Sequence, residues 1–143
     1  MQAAVLKIHL TMEISKSLLD NLLDAAAVNP RLRQNLDLRT SPEDSSQRML
    51  NALQPGTVLP VHRHTKTTET VVLLRGKMEE IFYEECSGCV RETGRVLLEA
   101  GGPVQGLCIP LGQWHGINVL EPTVSLECKD GRYEPLGEED VIG

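Results

Sequence analysis

Two periods of apolar residues run along the chain. Leu18, Leu19, Leu22, Leu23 and Ala26 recur at the i, i+3, i+4 spacing of a helix with one buried face, and predict a helix over residues 15–29. Ser15 offers a side-chain oxygen to the free N–H groups of the first turn, and Pro30 cannot continue the helix. Residues 31–46 are polar, with Ser41-Pro42-Glu43-Asp44 as a turn, and read as a connecting loop. Beyond them the period shortens to that of β-structure, in runs at 48–53, 58–64, 69–75, 77–85, 96–98, 107–109, 115–120 and 124–129. Glycine or proline interrupts nearly every gap, so the pattern predicts an all-β barrel or sandwich behind an N-terminal helix. The expected division is a strand, helix and loop in residues 1–46, a barrel in 47–136 and a tail in 137–143.

Composition narrows this picture. At 143 residues the chain has the length of one domain, able to bury a core without disulfide help. Fourteen basic against twenty acidic residues give a net charge of −6, which disfavours nonspecific binding to nucleic acid. The first ten residues lack the cationic start and sustained apolar run of a secretory signal, and read as a strand or tail. No run reaches the roughly 18 apolar residues of a membrane span, so a cytoplasmic protein without membrane contact is expected.

The candidate chemistry lies between Gly56 and Gly76. The spacing is Gly56, five residues, His62, one, His64, four, Glu69, six, Gly76. Alternate strand residues share a face, so His62 and His64 can grip one ion from a single strand. Glu69 opens the following strand-like run, where the chain has turned back beside both imidazoles. The five fixed offsets resemble the first cupin motif. Pro110-Leu111-Gly112-Gln113-Trp114-His115 is similar to the second, with Val104 where its leading glycine is expected and Asn118 one residue early. The resemblance implies His115 as fourth metal ligand and a cupin double-stranded β-helix, or jelly-roll barrel, as the fold.

A longer resemblance joins Pro30-Arg31-Leu32-Arg33, Gln47-Arg48-Met49-Leu50-Asn51, Lys66-Thr67-x-Glu69 and Glu127-Cys128-Lys129-x-Gly131-x-Tyr133. Over residues 14–136 the chain resembles the WbuC family of cupin fold metalloproteins. That likeness implies a small bacterial metal-binding protein associated with surface-polysaccharide or O-antigen gene clusters, and with cupins generally it implies a homodimer, for which Val72 and Leu74 are outward-facing candidates.

Three imidazoles and one carboxylate suit one divalent transition metal ion, whether Fe, Mn, Ni, Cu or Zn. Four protein ligands on a six-coordinate ion leave two positions for a small-molecule ligand such as a vicinal diol or hydroxy acid. Arg48 and Lys129 are candidate substrate-binding residues, and Glu127 and Tyr133 candidate catalytic ones. Glu127 and Lys129 share one strand face, which can be the interior or the solvent side. Trp114 can stack on a sugar face or cover the barrel mouth. Cys86-Ser87-Gly88-Cys89 suits a two-residue hairpin turn, open to an incidental, a redox-active or a half-metal reading. The functional classes are a metal-dependent Lewis-acid enzyme on a sugar-derived or hydroxy-acid substrate, a metal-dependent sensing module without turnover, and an Fe(II) dioxygenase.

Overall fold

The computed structural model describes residues 11–142. Helix α1 spans Lys16–Val28, and Ser15 caps it by accepting a hydrogen bond from the Leu18 N–H at 3.1 Å. Eight strands follow: β1 Arg33–Asp37, β2 Gln47–Leu53, β3 Val61–His62, β4 Glu69–Cys86, β5 Cys89–Glu99, β6 Gly106–Ile109, β7 Trp114–Lys129 and β8 Val141–Ile142. All their pairings are antiparallel.

The two long strands β4 and β7 pair along nearly their whole length and serve both halves of the molecule. The first part of β4 and the last part of β7 lie in one leaf, ordered β1-β2-β7-β4-β6. Their other parts lie in a second leaf, ordered β8-β3-β7-β4-β5. Register shifts between Leu73 and Met78 mark where β4 passes from one leaf to the other. Gly76 sits at this bend with φ +84°, and a Cβ there would overlap the Pro122 carbonyl oxygen. Only glycine meets both demands without strain.

Between the leaves lies a core of Leu53, Val71, Leu73, Met78, Leu98, Ile109 and Val119, contributed by both sides. On the outer face of the first leaf Leu50, Ala52 and Val124 pack against Leu19, Leu22 and Ala26 of α1. The predicted apolar stripe of the helix therefore covers the sheet, and Arg75 at the bend is ion-paired to Asp20.

The predicted β runs differ from the strands in instructive ways. Residues 69–75 and 77–85 form one strand, as do 115–120 and 124–129, because their breaks at Gly76 and Pro122 bend the sheet without ending the ladder. The stretch 31–46 contains β1, whose Arg33, Asn35 and Asp37 alternate with a single apolar Leu36 packed toward the helix, so the period-2 signal is faint. The strand or tail expected over residues 1–10 lies outside the described residues.

Candidate metal centre

The four predicted ligands converge. His62 lies in β3, His64 two residues on, Glu69 opens β4, and His115 is the second residue of β7, paired with His62. Their candidate ligand atoms all lie within 4.8 Å of one another. Ring centroids of His62 and His115 are 4.3 Å apart, and those of His62 and His64 5.1 Å. A backbone bond ties the two motifs together: the Gly112 N–H donates to the His64 carbonyl at 2.8 Å.

Hydrogen bonds orient the rings. His62 Nδ1 lies 3.1 Å from the Pro60 carbonyl and His115 Nδ1 2.9 Å from that of Gln113. A carbonyl can only accept, so each Nδ1 carries a proton, and in the neutral ring each Nε2 keeps a lone pair. Nε2 of His64 and of His115 lie 3.3 Å and 3.4 Å from one oxygen, Glu69 Oε2. That oxygen is buried and has no partner in hydrogen-bond geometry. Lone pairs crowding an orphaned carboxylate oxygen repel unless a cation lies among them, so the donor set fits a divalent ion. Carbonyl anchoring of the far ring nitrogen is the outer support that metal-binding histidines commonly have.

Local electrostatics favour a neutral His62 and a charged Glu69, while His115 is drawn toward its charged form. Burial, with the neighbouring His115 and His64, pushes the His62 pKa down to about 4. Burial pulls His115 down as well, but Glu69 beside it more than offsets this and the net shift is upward. For Glu69 burial opposes ionisation, and the His115 and His64 imidazoles together with the Lys129 charge outweigh it, leaving the carboxyl well below its usual range.

The centre opens into a cavity of about 910 Å³ between the leaves. Its wall includes Asn51, Glu127 and Lys129 from the first leaf and Met78, Glu80 and Ile117 from the second. Glu127 and Lys129 thus face the interior, where the Asn51 side chain favours the charged form of Glu127. Tyr133 stands on the rim, 53% exposed, with Arg39 5.6 Å above its ring. Arg48 does not line the cavity. Its guanidinium anchors the loop before β2, donating to the carbonyls of Ser46 and Leu38 and pairing with Asp44. Trp114 does not line it either: its indole N–H donates to Glu85 at 2.9 Å and the Arg63 guanidinium lies 4.6 Å over its ring.

Glu80 is the residue that the motifs passed over. It is 2% exposed, lines the cavity, and has a buried oxygen, Oε2, without a partner. Burial raises its pKa to about 8, outweighing the opposing effect of His115, with lesser upward contributions from the negative charges of Glu69 and Glu127. Burial next to Glu69 likewise raises Glu127 to about 7. A parity signal existed, since Met78, Glu80 and Phe82 alternate inward, but Lys77, Glu79 and Glu80 together look like a solvated strand face.

A family model described as Domain of unknown function (DUF6016) matches residues 14–96, which contain three of the four ligands. No curated protein matches the chain. Among solved structures it is similar to KdgF from Halomonas sp., at 19% identity over 74% of this chain and 85% of that one, with a TM-score of 0.55. It is also similar to the capsular polysaccharide assembling protein CapF from Staphylococcus aureus, at 20% identity, 76% and 30% coverage and a TM-score of 0.60. An oxalate oxidase in complex with glycolate matches at 16% identity, 76% and 56% coverage and a TM-score of 0.57. The chain spans under a third of CapF and just over half of the oxidase. These relatives are cupins, and the fold of this chain is the cupin jelly roll with an added helix. Within that fold three histidines and one glutamate form a cluster able to hold a metal ion.

Proposed function

The chain belongs to the family described as Domain of unknown function (DUF6016), and we propose that it is a metal-dependent enzyme acting on a small polar substrate, a sugar derivative or hydroxy acid. The observation that carries this reading is Glu80, a buried carboxyl with an unpartnered oxygen in the same cavity as the four metal ligands. A protein that only binds a ligand has no need of an acid held so far from its ordinary range, whereas proton transfer does.

His62, His64, Glu69 and His115 would hold the ion, which supplies Lewis acidity to a carbonyl or hydroxyl oxygen. In the metal-free chain Glu80, with its pKa at about 8, keeps its proton at neutral pH, and a carboxyl in that form can donate it. Glu127, at about 7, is poised to accept one. Two carboxyls of different proton affinity in one cavity are the equipment for moving a proton on and off a bound substrate. Lys129 offers a positive charge and Asn51 an amide to orient an anionic polyhydroxy compound, while Tyr133 borders the entrance.

The WbuC resemblance extends this reading to surface-polysaccharide metabolism in the cytoplasm, by a homodimer joined through the exposed Val72 and Leu74. CapF, a capsular polysaccharide assembling protein, is compatible with that context. Assay of the metal-loaded protein against hydroxy acids, uronic acids and nucleotide sugars tests the proposal. Turnover of at least one, reduced by roughly 10²–10⁴-fold in Glu80→Gln, is expected. Tight binding across the set without turnover would instead mark a sensing module, and oxygen uptake with Fe(II) a dioxygenase.

A further inference from the structure

The β4–β5 hairpin ends in Cys86-Ser87-Gly88-Cys89. The two cysteines are direct cross-strand partners, joined by a two-residue turn. Gly88 takes φ +79°, which lets the chain reverse in so few residues. Both thiols are free, and their Sγ atoms lie in contact at 2.6 Å. Directly opposed residues of an antiparallel pair have Cα atoms about 4.5–5.5 Å apart, inside the range of about 4.4–6.8 Å that a disulfide spans. Closing this pair therefore requires sulfur movement and no rearrangement of the backbone.

From this geometry we propose that Cys86 and Cys89 are a reversible dithiol site that reacts with low-molecular-weight disulfides of the glutathione class. Cys89 is exposed and Cys86 half-buried, so Cys89 meets the oxidant first. Its thiolate attacks one sulfur of the small disulfide, forming a mixed disulfide and expelling one thiol. The Cys86 thiolate then attacks Cys89 Sγ, forming the intramolecular bond and expelling the second thiol. The protein loses two hydrogens and the oxidant is reduced to two thiols, so the step balances. A structural zinc site is the competing use of such a pair, but it takes four ligands. Among the described residues the His/Cys/Asp/Glu groups able to hold an ion reduce to the cluster of His62, His64, Glu69 and His115, which contains neither cysteine.

The pair is placed to influence that cluster. Glu85, next to Cys86, accepts from the Trp114 indole N–H at 2.9 Å and from Arg63 at 3.4 Å. Trp114 precedes His115, and Arg63 separates His62 from His64. A covalent closure at the hairpin tip thus acts one residue from the group that holds both ligand segments.

The test is to treat the full chain with excess glutathione disulfide, block remaining thiols with iodoacetamide, digest with trypsin and weigh the peptides. Cleavage after Lys77 and Arg91 gives one peptide with both Cys86 and Cys89, while Cys108 and Cys128 fall together on another. The expected result is an unalkylated 78–91 peptide two hydrogens lighter, restored by dithiothreitol, beside an alkylated 96–129 peptide. In Cys86→Ser, Cys89 should stop at a stable glutathione adduct. Full alkylation of 78–91, or two glutathiones on it in the native chain, would overturn the proposal.

Discussion

Glu80 is one carboxyl among twenty acidic residues, yet its surroundings change its chemistry more than those of any ordinary surface glutamate. Its folded pKa is about 8 against 4.5 for a free side chain. Between those values the folded state holds a proton that the unfolded state has released, so this group makes stability fall as pH rises from about 4.5 to about 8. In the metal-free protein, Glu80→Gln should therefore raise the melting temperature relative to wild type more at pH 8 than at pH 5. Thermal melts at both values check it, and a pH-independent difference would count against a buried, protonated Glu80. His115 shifts the opposite way from His62, upward through Glu69. Because the ion needs neutral imidazole, protonation of His115 competes with it earlier on acidification than protonation of His62. The apparent metal affinity should begin to fall as pH drops to about 6.5, the ordinary histidine pKa, or somewhat above it, as competition with a chelator would show; an affinity unchanged from pH 8 to pH 5 would disagree.

Single elements explain what was and was not legible in the sequence. The helix was readable because one face meets one sheet, and Leu19, Leu22 and Ala26 carry that requirement in their spacing. His62, His64 and Glu69 were readable because a short strand and a tight return confine them to fixed offsets. His115 needed the turn Pro110 to Gly112, whose φ of +77° at glycine and bond to His64 set the second motif against the first. Continuity across Gly76 was hidden: a glycine that breaks a pattern and one that bends an unbroken strand look alike in sequence. Arg48 and Lys129 looked equivalent until strand parity placed Lys129 inside and Arg48 outside, bonded to its own loop. Gly76→Ala tests the bend, since it forces a methyl group into the Pro122 carbonyl at a positive φ. A loss of several kcal/mol, read by denaturant titration or as loss of soluble protein, is expected; near-native stability would contradict the bend.

For the whole molecule, two leaves joined by two bent strands enclose an interior that is apolar at one end and bears the candidate metal ligands and polar walls at the other. The four candidate ligands lie outside this apolar core, so the metal-free chain is expected to keep the fold. Val72 and Leu74, each 37% exposed on the outer face of the first leaf, are the proposed surface for a second copy. Light scattering should give a dimeric mass, and Val72→Glu with Leu74→Glu a monomeric one; a monomer in the native chain would rule that surface out as a dimer contact. The most direct test of the metal centre is elemental analysis of the protein after metal loading and desalting, set beside His64→Ala. Close to one divalent transition metal ion is expected per native chain, and little or none in a variant whose circular dichroism matches the native fold. An empty native chain, or equal metal in the variant, would contradict it.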